Sequence, residues 1–292
     1  MTELTLRSDE LEVVILPQVG GRIHRIRAFG QDLLRTPNDP ATHGTEPFFW
    51  GAYVMAPWCN RATPGPTEIA GRRVNLAPNF PDGTAIHGLV SSAAWVRRGD
   101  AELATRCGAA DAWPWLFEVH EAASLAGTTL ALEYRLVNLD PDAPMPAGLG
   151  LHPWLRRPVD VRLPAERAYA SNTESQPEPA RVAGDLELRT LAPPADGLDG
   201  TWTGLTDSHV ELAWRDAGVR AVIRIETDAP GTLLAVATPP GLDAIAVEPQ
   251  THGPDPFRRL AAGEPDPPML LPPGASMRLA IRMTAERIGG AA

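Results

Sequence analysis

Side chains that can move protons or bind polar ligands stand beside turn residues at four places along the chain. In chain order they are Asn60 with Arg61 after a Pro-Trp turn, His87 before a glycine, His152 before a proline, and Glu248 before another proline. A carboxylate and an imidazole that face each other can act as general base and general acid. These residue types therefore indicate an acid–base site.

The segments around His152 and Glu248 share one local pattern. An apolar run, GLGL or AIAV, leads to the titratable residue, and a proline follows it. Proline removes a ladder hydrogen bond and holds the preceding residue in extended backbone. We therefore expect two strands that stop here and present the imidazole and the carboxylate at facing ends. We expect Gly148 and Gly150 to let two strands approach closely at the floor of the cleft.

Short strands must position these side chains, because the 26 glycines and 31 prolines are spread along the whole chain and break up helices. Between 129 and 137, Leu130, Leu132, Tyr134 and Leu136 face one side, the alternation of a half-buried strand. The predicted strands are 11–17, 22–28, 128–138, 209–214, 219–227, 233–238, 244–247 and 276–284. The proline-rich stretches 177–194 and 265–273 are predicted as surface loops.

The predicted fold class is all-β, a large antiparallel β-sandwich with few short helices. The length of 292 residues allows one domain, and we expect residues 1–292 to form it.

Composition excludes several classes of function. A net charge of −10 argues against a nucleic-acid partner. The chain has no lysine, which excludes Schiff-base chemistry and pyridoxal phosphate anchoring. Cys59 and Cys107 form no metal or redox motif and are interpreted as ordinary thiols. The first residues lack an apolar signal core and no apolar run could span a membrane, so the expected location is cytoplasmic, with no membrane partner.

Taken together, the four segments resemble the aldose 1-epimerase, or galactose mutarotase-like, family. The matching elements, in the family's order, are Asn60-Arg61, Ile86-His87-Gly88, His152-Pro153-Trp154 and Glu248-Pro249-Gln250, followed by Pro254-Asp255-Pro256-Phe257. A family element Asp-x-x-aromatic is similar to Asp199 with Trp202. The matches run from about residue 11 to the end of the chain. The family often has Tyr or Phe after His-Pro, where this chain has Trp154, so the preferred sugar stays open.

This resemblance implies a galactose mutarotase-like supersandwich and a cofactor-independent isomerase that interconverts the α and β anomers of free aldoses. It implies Glu248 as the base on the anomeric hydroxyl and His152 as the acid on the ring oxygen. The residues that it implies for sugar binding are Asn60, Arg61, His87, Asp199, Gln250 and Trp154. Gln250 could instead orient the glutamate. Either Trp154 or Trp58 could provide an apolar surface under the C–H face of the sugar. The expected partner is a small sugar, the chain a monomer or homodimer, and no metal is expected.

Several alternatives stay open at this point. A hexose-6-phosphate mutarotase would need arginines for the phosphate, with Arg72 or Arg73 as candidates. A non-catalytic sugar-binding protein of the same fold would have lost the acid or the base, and both are present. Asp196 or Asp207 could replace Asp199.

The remaining histidines are expected to be structural, although His252 stands close to Glu248 in sequence. A zinc site on His87 and His152 is expected to fail for want of a third ligand.

Overall fold

The computed structural model describes residues 2–110, 112–207 and 209–289, and these ranges are built mainly of strands. In chain order the strands are β1 (Leu4–Arg7), β2 (Leu11–Leu16), β3 (Arg22–Ala28), β4 (Gln31–Asp32), β5 (Ala52–Met55), β6 (Arg61–Ala62), β7 (Gly65–Ile69), β8 (Arg72–Leu76), β9 (Ala85–Ile86), β10 (Val96–Arg97), β11 (Glu102–Cys107), β12 (Phe117–Ala126), β13 (Thr129–Asn138), β14 (Met145–Ala147), β15 (Gly150–Arg156), β16 (Asp160–Arg162), β17 (Ala165–Tyr169), β18 (Ala180–Arg181), β19 (Asp199–Leu205), β20 (His209–Trp214), β21 (Val219–Thr227), β22 (Leu233–Ala237), β23 (Ala244–Gln250), β24 (Met269–Leu271) and β25 (Ser276–Arg287). The helices are α1 (Thr42–Thr45), α2 (Pro256–Ala262) and a 3-10 turn at Gly184–Leu186. In the described part of the chain, no helix is long and apolar enough to cross a membrane.

Two large antiparallel sheets contain most of these strands. The first has the order β1-β2-β3-β5-β15-β23-β22-β19-β17-β18, with β4 paired to the edge of β3. The second has the order β10-β11-β12-β13-β25-β21-β20-β16. The shorter ribbons β14-β24, β6-β9 and β7-β8 complete the pairing within the described ranges. The predicted fold class, all-β and antiparallel with few short helices, is confirmed.

The main hydrophobic core draws side chains from both sheets. Val13 and Val54 of the first sheet and Leu132 and Ile281 of the second belong to the same buried cluster. Each such side chain contributes roughly 1.5–3 kcal/mol when it is fully buried. Because neighbouring residues of a strand point to opposite faces, this packing leaves the other face of the first sheet for a second, smaller cluster.

The predicted strands are found, but two of them do not stop where we expected. β15 continues through His152 and Pro153, and β23 continues through Glu248 and Pro249 to its last residue. The two strands pair on either side of this stretch, while the ladder between them is interrupted at the prolines. Because proline has no N–H to donate, the strands pass through by leaving ladder bonds unmade rather than by ending.

The predicted loops also contain short regular segments. β18 and the 3-10 turn lie within 177–194, and β24 lies within 265–273. They are too brief for a period to be recognised in the sequence.

Candidate active site

Tyr53, His152 and Glu248 lie side by side on three adjacent strands of the first sheet. The register of β5 with β15 pairs Tyr53 with His152 directly. The pairs that flank the proline gap between β15 and β23 bring His152 opposite Glu248. Directly opposite side chains share one face of a sheet, and here it is the face turned away from the main core.

The histidine and the glutamate are in direct contact. His152 Nε2 lies 3.1 Å from Glu248 Oε1, and both residues are buried. The ring of Tyr53 stacks on the imidazole at 4.6 Å between centroids, with 24° between the planes. The imidazole is therefore packed on one face by the phenol ring and lies in contact with the carboxyl group.

His87 completes this group from a turn of unusual backbone conformation. Asn60 and His87 both have positive φ, 59° and 60°, which is uncommon outside glycine and is often found at functional sites. They lock each other in place: the His87 N–H donates to the Asn60 carbonyl at 3.1 Å, and the Asn60 N–H donates to His87 Nδ1 at 3.2 Å. The imidazole must therefore carry its hydrogen on Nε2.

Two glycines beside the site are required by close neighbours. A Cβ on Gly88, whose φ is +72°, would lie 2.0 Å from the carbonyl oxygen of Ala56. A Cβ on Gly148 would lie 2.3 Å from the ring of His252. At Gly150 the nearest atom is the end of the Met55 side chain, at 2.5 Å. The expectation of a close strand approach holds in part: a Cβ on Gly150 would also lie 3.0 Å from the carbonyl oxygen of Pro249 on the paired strand β23, whereas at Gly148 the ring of His252 is nearer than any backbone atom.

A second polar group contains Arg61, Asp199 and Asn172. Arg61 Nη1 lies 3.3 Å from Asp199 Oδ2, and its Nε donates to Asp82 at 2.8 Å. Asn172 donates from its amide to Asp199 Oδ1 at 2.8 Å and accepts from the Thr201 hydroxyl at 2.7 Å. These contacts fix Asp199 and Arg61 in orientation, as side chains that bind hydroxyl groups require.

Both groups line one cavity of about 360 Å³. This volume is at the lower end of the range for small-ligand sites. An aromatic wall, formed by Phe48, Phe49, Phe80 and Trp154, lies beside these polar groups. Phe49 packs on Trp154 at 5.8 Å, and Phe48 meets Phe80 edge-to-face at 5.3 Å. The cavity thus combines polar groups with aromatic rings beside them, a composition suited to a sugar.

Burial shifts the pKa values of Glu248, His87 and His152. It raises the pKa of Glu248 to about 8, with Asp199 adding to the effect and Arg61 opposing it. It lowers the pKa of His87 to about 3. It also lowers the pKa of His152 well below its usual value, with further effects from His87 and Arg22. Near neutral pH the pair of Glu248 and His152 therefore holds one proton, preferably on the carboxyl group.

The three residues also meet the count for a zinc site. Ligand atoms of His87, His152 and Glu248 lie within 4.8 Å of one another, so the expectation that a third ligand is missing is wrong. The donor chemistry nevertheless opposes a metal. His87 Nδ1 already accepts a hydrogen bond from the Asn60 N–H, so Nε2 carries a hydrogen and has no lone pair to offer. A metal-bound histidine instead donates from its other nitrogen.

The structure separates Asp199 from the other aspartates considered for its position. Asp196 pairs with Arg157 and is mostly exposed, and Asp207 pairs with His209. Neither lines the cavity.

Some expected residues lie elsewhere. Gln250 is fully buried and does not line the cavity, and its amide donates to the His252 carbonyl at 3.0 Å. Trp58 packs in the core against Trp113, which leaves Trp154 as the tryptophan of the wall. His252 has its Nδ1 at 2.8 Å from a backbone carbonyl, and its Nε2 accepts from the Cys59 N–H.

The residues considered for a phosphate do not reach the cavity. Arg72 donates to Asp140 and to the carbonyl of Pro114 at 3.0 Å. Arg73 does not line the cavity either.

Tyr53, Asn172 and the three phenylalanines also line the cavity but were not predicted from the sequence. Tyr53 stands in the strand segment AYVM, where an aromatic residue is ordinary. Asn172 lies in a polar loop without a motif. The pair Phe48-Phe49, two large apolar residues in a stretch without strand alternation, is a signal that could have indicated the aromatic wall.

Comparisons with known proteins agree with this fold. A candidate aldose 1-epimerase from Escherichia coli K12 shares 21% identity, covers 98% of this chain and 99% of its own, and superimposes with a TM-score of 0.80. A galactose mutarotase-like protein from Clostridium acetobutylicum shares 16% identity over 97% of this chain and 95% of its own, with a TM-score of 0.80. A galactose mutarotase-like protein from Lactobacillus casei ATCC 334 shares 16% identity over 98% of this chain and 100% of its own, with a TM-score of 0.73. At these identities the likeness concerns the fold, which is galactose mutarotase-like.

The family follows from the sequence match. The model of the aldose 1-epimerase family matches residues 2–284, and the chain belongs to that family. No protein of curated function matches the chain in a sequence search.

Proposed function

We propose that the protein is an aldose 1-epimerase that interconverts the α and β anomers of free aldoses by acid–base opening of the ring. The observation that carries the proposal is the contact of His152 and Glu248, 3.1 Å apart and buried, at the wall of a sugar-sized cavity. Mutarotation needs one proton donor and one acceptor near the C1–O5 bond. A pair that shares one proton supplies both.

Ring opening begins with the proton on His152 and the carboxylate of Glu248 ionised. The carboxylate takes the proton of the anomeric hydroxyl, and the electron pair of that O–H bond forms the C1=O bond. The C1–O5 bond breaks, and O5 takes its electron pair together with the proton of His152. The product is the open-chain aldehyde, with a neutral imidazole and a protonated Glu248.

Reclosure uses the same groups in reverse after the C1–C2 bond has rotated. O5 attacks the other face of C1 and returns its proton to His152, while Glu248 gives its proton to the carbonyl oxygen. The pair holds one proton throughout, so the cycle needs no external acid or cofactor. Burial favours the neutral form of both residues, which is the protonation state that the aldehyde intermediate requires.

The other cavity residues bind and orient the sugar in this proposal. His87, neutral because burial lowers its pKa to about 3, donates from Nε2 to a sugar oxygen. Arg61, Asn60 and Asp199 bind hydroxyl groups. Trp154 covers the C–H face of the ring.

The charges of the cavity favour an unphosphorylated sugar. Among the described residues, one arginine, Arg61, lines the cavity. The carboxylates of Asp82 and Asp199 already contact its guanidinium group. The remainder of the wall is mostly apolar or acidic. A phosphate would meet no uncompensated positive charge there, which argues against the hexose-6-phosphate alternative.

The experiment follows the optical rotation of freshly dissolved α-D-glucose and α-D-galactose with the wild type, Glu248→Gln and His152→Ala. We expect fast relaxation to the anomeric equilibrium with the wild type and a loss of acceleration in both variants. Glucose 6-phosphate, tested in parallel, is expected to react poorly.

Each other outcome selects a different function. Acceleration with the phosphate ester alone would establish the hexose-6-phosphate alternative. No acceleration with any of the sugars, together with binding of a free aldose in calorimetry, would support the non-catalytic sugar-binding protein. Full activity in both variants would assign the chemistry to other residues.

A further inference from the structure

Behind the face of Tyr53 that is turned away from His152 lies a buried arginine. Arg22, the first residue of β3, has no exposed surface. Its guanidinium carbon lies 4.5 Å from the centre of the Tyr53 ring. Since Tyr53 stacks on His152 at 4.6 Å, the three side chains form a continuous stack, and Glu248 contacts its far end.

Within the described part of the chain, this arginine has no acidic partner. Its Nη1 donates to the carbonyl of Trp50 at 2.9 Å and its Nη2 to the carbonyl of Ser91 at 3.3 Å. No carboxylate of the described residues forms an ion pair with it, and its buried Nε has no hydrogen-bond partner among them. Burying a charge without a counter-charge is costly. A structural arginine at this position would be expected to have a carboxylate.

The charge persists at neutral pH. Burial lowers the pKa of Arg22 only to about 10, so the guanidinium stays protonated. Its field acts through a dry aromatic layer, where screening by water and salt is weak. The nearest titratable side chain beyond Tyr53 is the imidazole of His152.

The remaining charged or titratable neighbours of the stack come from several elements. These neighbours are Glu248 on β23, His87 beside β9, Arg61 on β6, Asp199 on β19, His24 on β3 and His43 on α1. Of these, Glu248 favours a proton on His152, while Arg61 and His87 oppose it. His24 and His43 lie behind Arg22, where burial and charge lower the pKa of both.

We infer that Arg22 is a positioning residue that acts through Tyr53 to keep the resting proton of the acid–base pair off His152 and on Glu248. The inference rests on the proposed function. When substrate moves the proton to His152, the same field makes the imidazolium a stronger acid. This suits the ring oxygen of a sugar, which is a very weak base.

Loss of the Arg22 charge should change the pH profile of kcat/KM, whereas loss of a packing role alone would lower activity without moving the profile. Removing the positive charge makes each proton of the pair harder to lose. Both limbs of the profile of kcat/KM should therefore move to higher pH. A Coulomb interaction across two ring layers corresponds to a shift of roughly 0.5–1 pH unit.

The experiment measures these profiles by polarimetry for the wild type, Arg22→Gln, Arg22→Lys and Arg27→Gln. Arg27 is on the same strand, but it is exposed and paired with Asp32, so Arg27→Gln is the matched control for loss of one charge. We expect both limbs to move up in Arg22→Gln and to stay within about 0.3 pH unit of the wild type in Arg22→Lys and Arg27→Gln. A fall in activity at all pH values with unmoved limbs would overturn the inference.

A second measurement does not depend on activity. Nitrogen NMR of labelled histidine follows the His152 ring, assigned with His152→Gln. We expect the pKa of this ring to lie below its ordinary value in the wild type and in Arg22→Lys, and to rise in Arg22→Gln, which loses the charge, and in Tyr53→Leu, where water replaces the aromatic layer. An ordinary titration of His152 in the wild type would overturn the inference. If the wild type does not accelerate mutarotation, the proposed function fails, while this titration still decides the effect of Arg22.

Discussion

Two buried glutamates, Glu248 and Glu121, have almost the same physical description and different surroundings. Each is at most 4% exposed, and burial raises the pKa of each to about 8. Glu248 borders a cavity and contacts an imidazole at 3.1 Å. Glu121 lies in the main core near Trp95 and Tyr134, and neither of its carboxyl oxygens has a partner among the described residues.

The comparison shows that a displaced pKa does not mark an active site by itself. Burial alone accounts for the shift of Glu121. What distinguishes Glu248 is geometry: a partner that can exchange a proton and a space that can admit a substrate. The two residues can therefore be compared by experiment, because the same substitution should lower activity at Glu248 and leave it nearly unchanged at Glu121.

The largest difference is expected in catalysis. Glu248→Gln removes the proton acceptor and should lower kcat by about 10²–10⁴-fold. Glu121→Gln leaves the cavity untouched, so its kcat should stay within about twofold of the wild type. Polarimetry of α-D-glucose checks both, with circular dichroism to establish folding. Equal losses in the two folded variants would contradict the distinction drawn here.

The pH dependence of catalysis should also follow Glu248. With the pKa of this carboxyl group at about 8, the pair loses its single proton above that pH, and activity should fall by about tenfold per pH unit. At low pH a second proton must go to His152, whose pKa is well below its usual value, so the acid limb should lie below about 6.5. The profile of kcat/KM measures both limbs. A flat profile to pH 10 would mean that another group donates the proton.

Stability should respond at Glu121. The folded state raises the pKa of this carboxyl group from 4.5 to about 8, so the unfolded chain ionises first as the pH rises. The stability that the protonated Glu121 carboxyl group contributes is therefore fully present below about pH 4.5 and is lost as the pH approaches 8. Glu121→Leu removes this loss and the unpartnered oxygens, and should raise the free energy of unfolding at pH 8 by about 1–3 kcal/mol.

Denaturant unfolding at pH 5 and pH 8 tests this, with Glu102→Gln on the exposed end of β11 as the control. The gain from Glu121→Leu should be larger at pH 8 than at pH 5. A gain that is the same at both values would mean that Glu121 is not held in its protonated form by the fold.

The sequence was sufficient to predict the all-β antiparallel fold and to select several of the side chains that line the cavity. His87, His152 and Glu248 stand in segments with glycine or proline beside them. The positions of the strand ends were wrong, because proline was interpreted as a stop. Two prolines on either side of the facing pair His152 and Glu248 can share one ladder gap, and that arrangement is a property of two strands that are distant in sequence.

The surroundings of the site were harder to predict. Arg22 and Tyr53 are single residues in ordinary strand patterns, and their stack with His152 depends on strands β3, β5 and β15 becoming neighbours. Glu121 did leave a signal. It occupies the buried face of FEVHEAA, two residues after Val119, where an apolar side chain is expected. Such a violation of the pattern indicates a buried carboxyl group but not its role.

The smallest expected effect concerns Asn172, which orients Asp199 from the neighbouring loop. Its amide donates to Asp199 Oδ1 at 2.8 Å, and one such hydrogen bond contributes about 1 kcal/mol, or roughly fivefold in affinity. Asn172→Ala should raise KM about fivefold and leave kcat nearly unchanged, because in the proposed mechanism Asp199 binds the sugar and takes no part in proton transfer. Thr173→Ala, at the exposed neighbour, is the control. A fall in kcat at constant KM would instead connect Asp199 with Glu248, whose pKa it raises, and would make the second polar group part of the acid–base machinery.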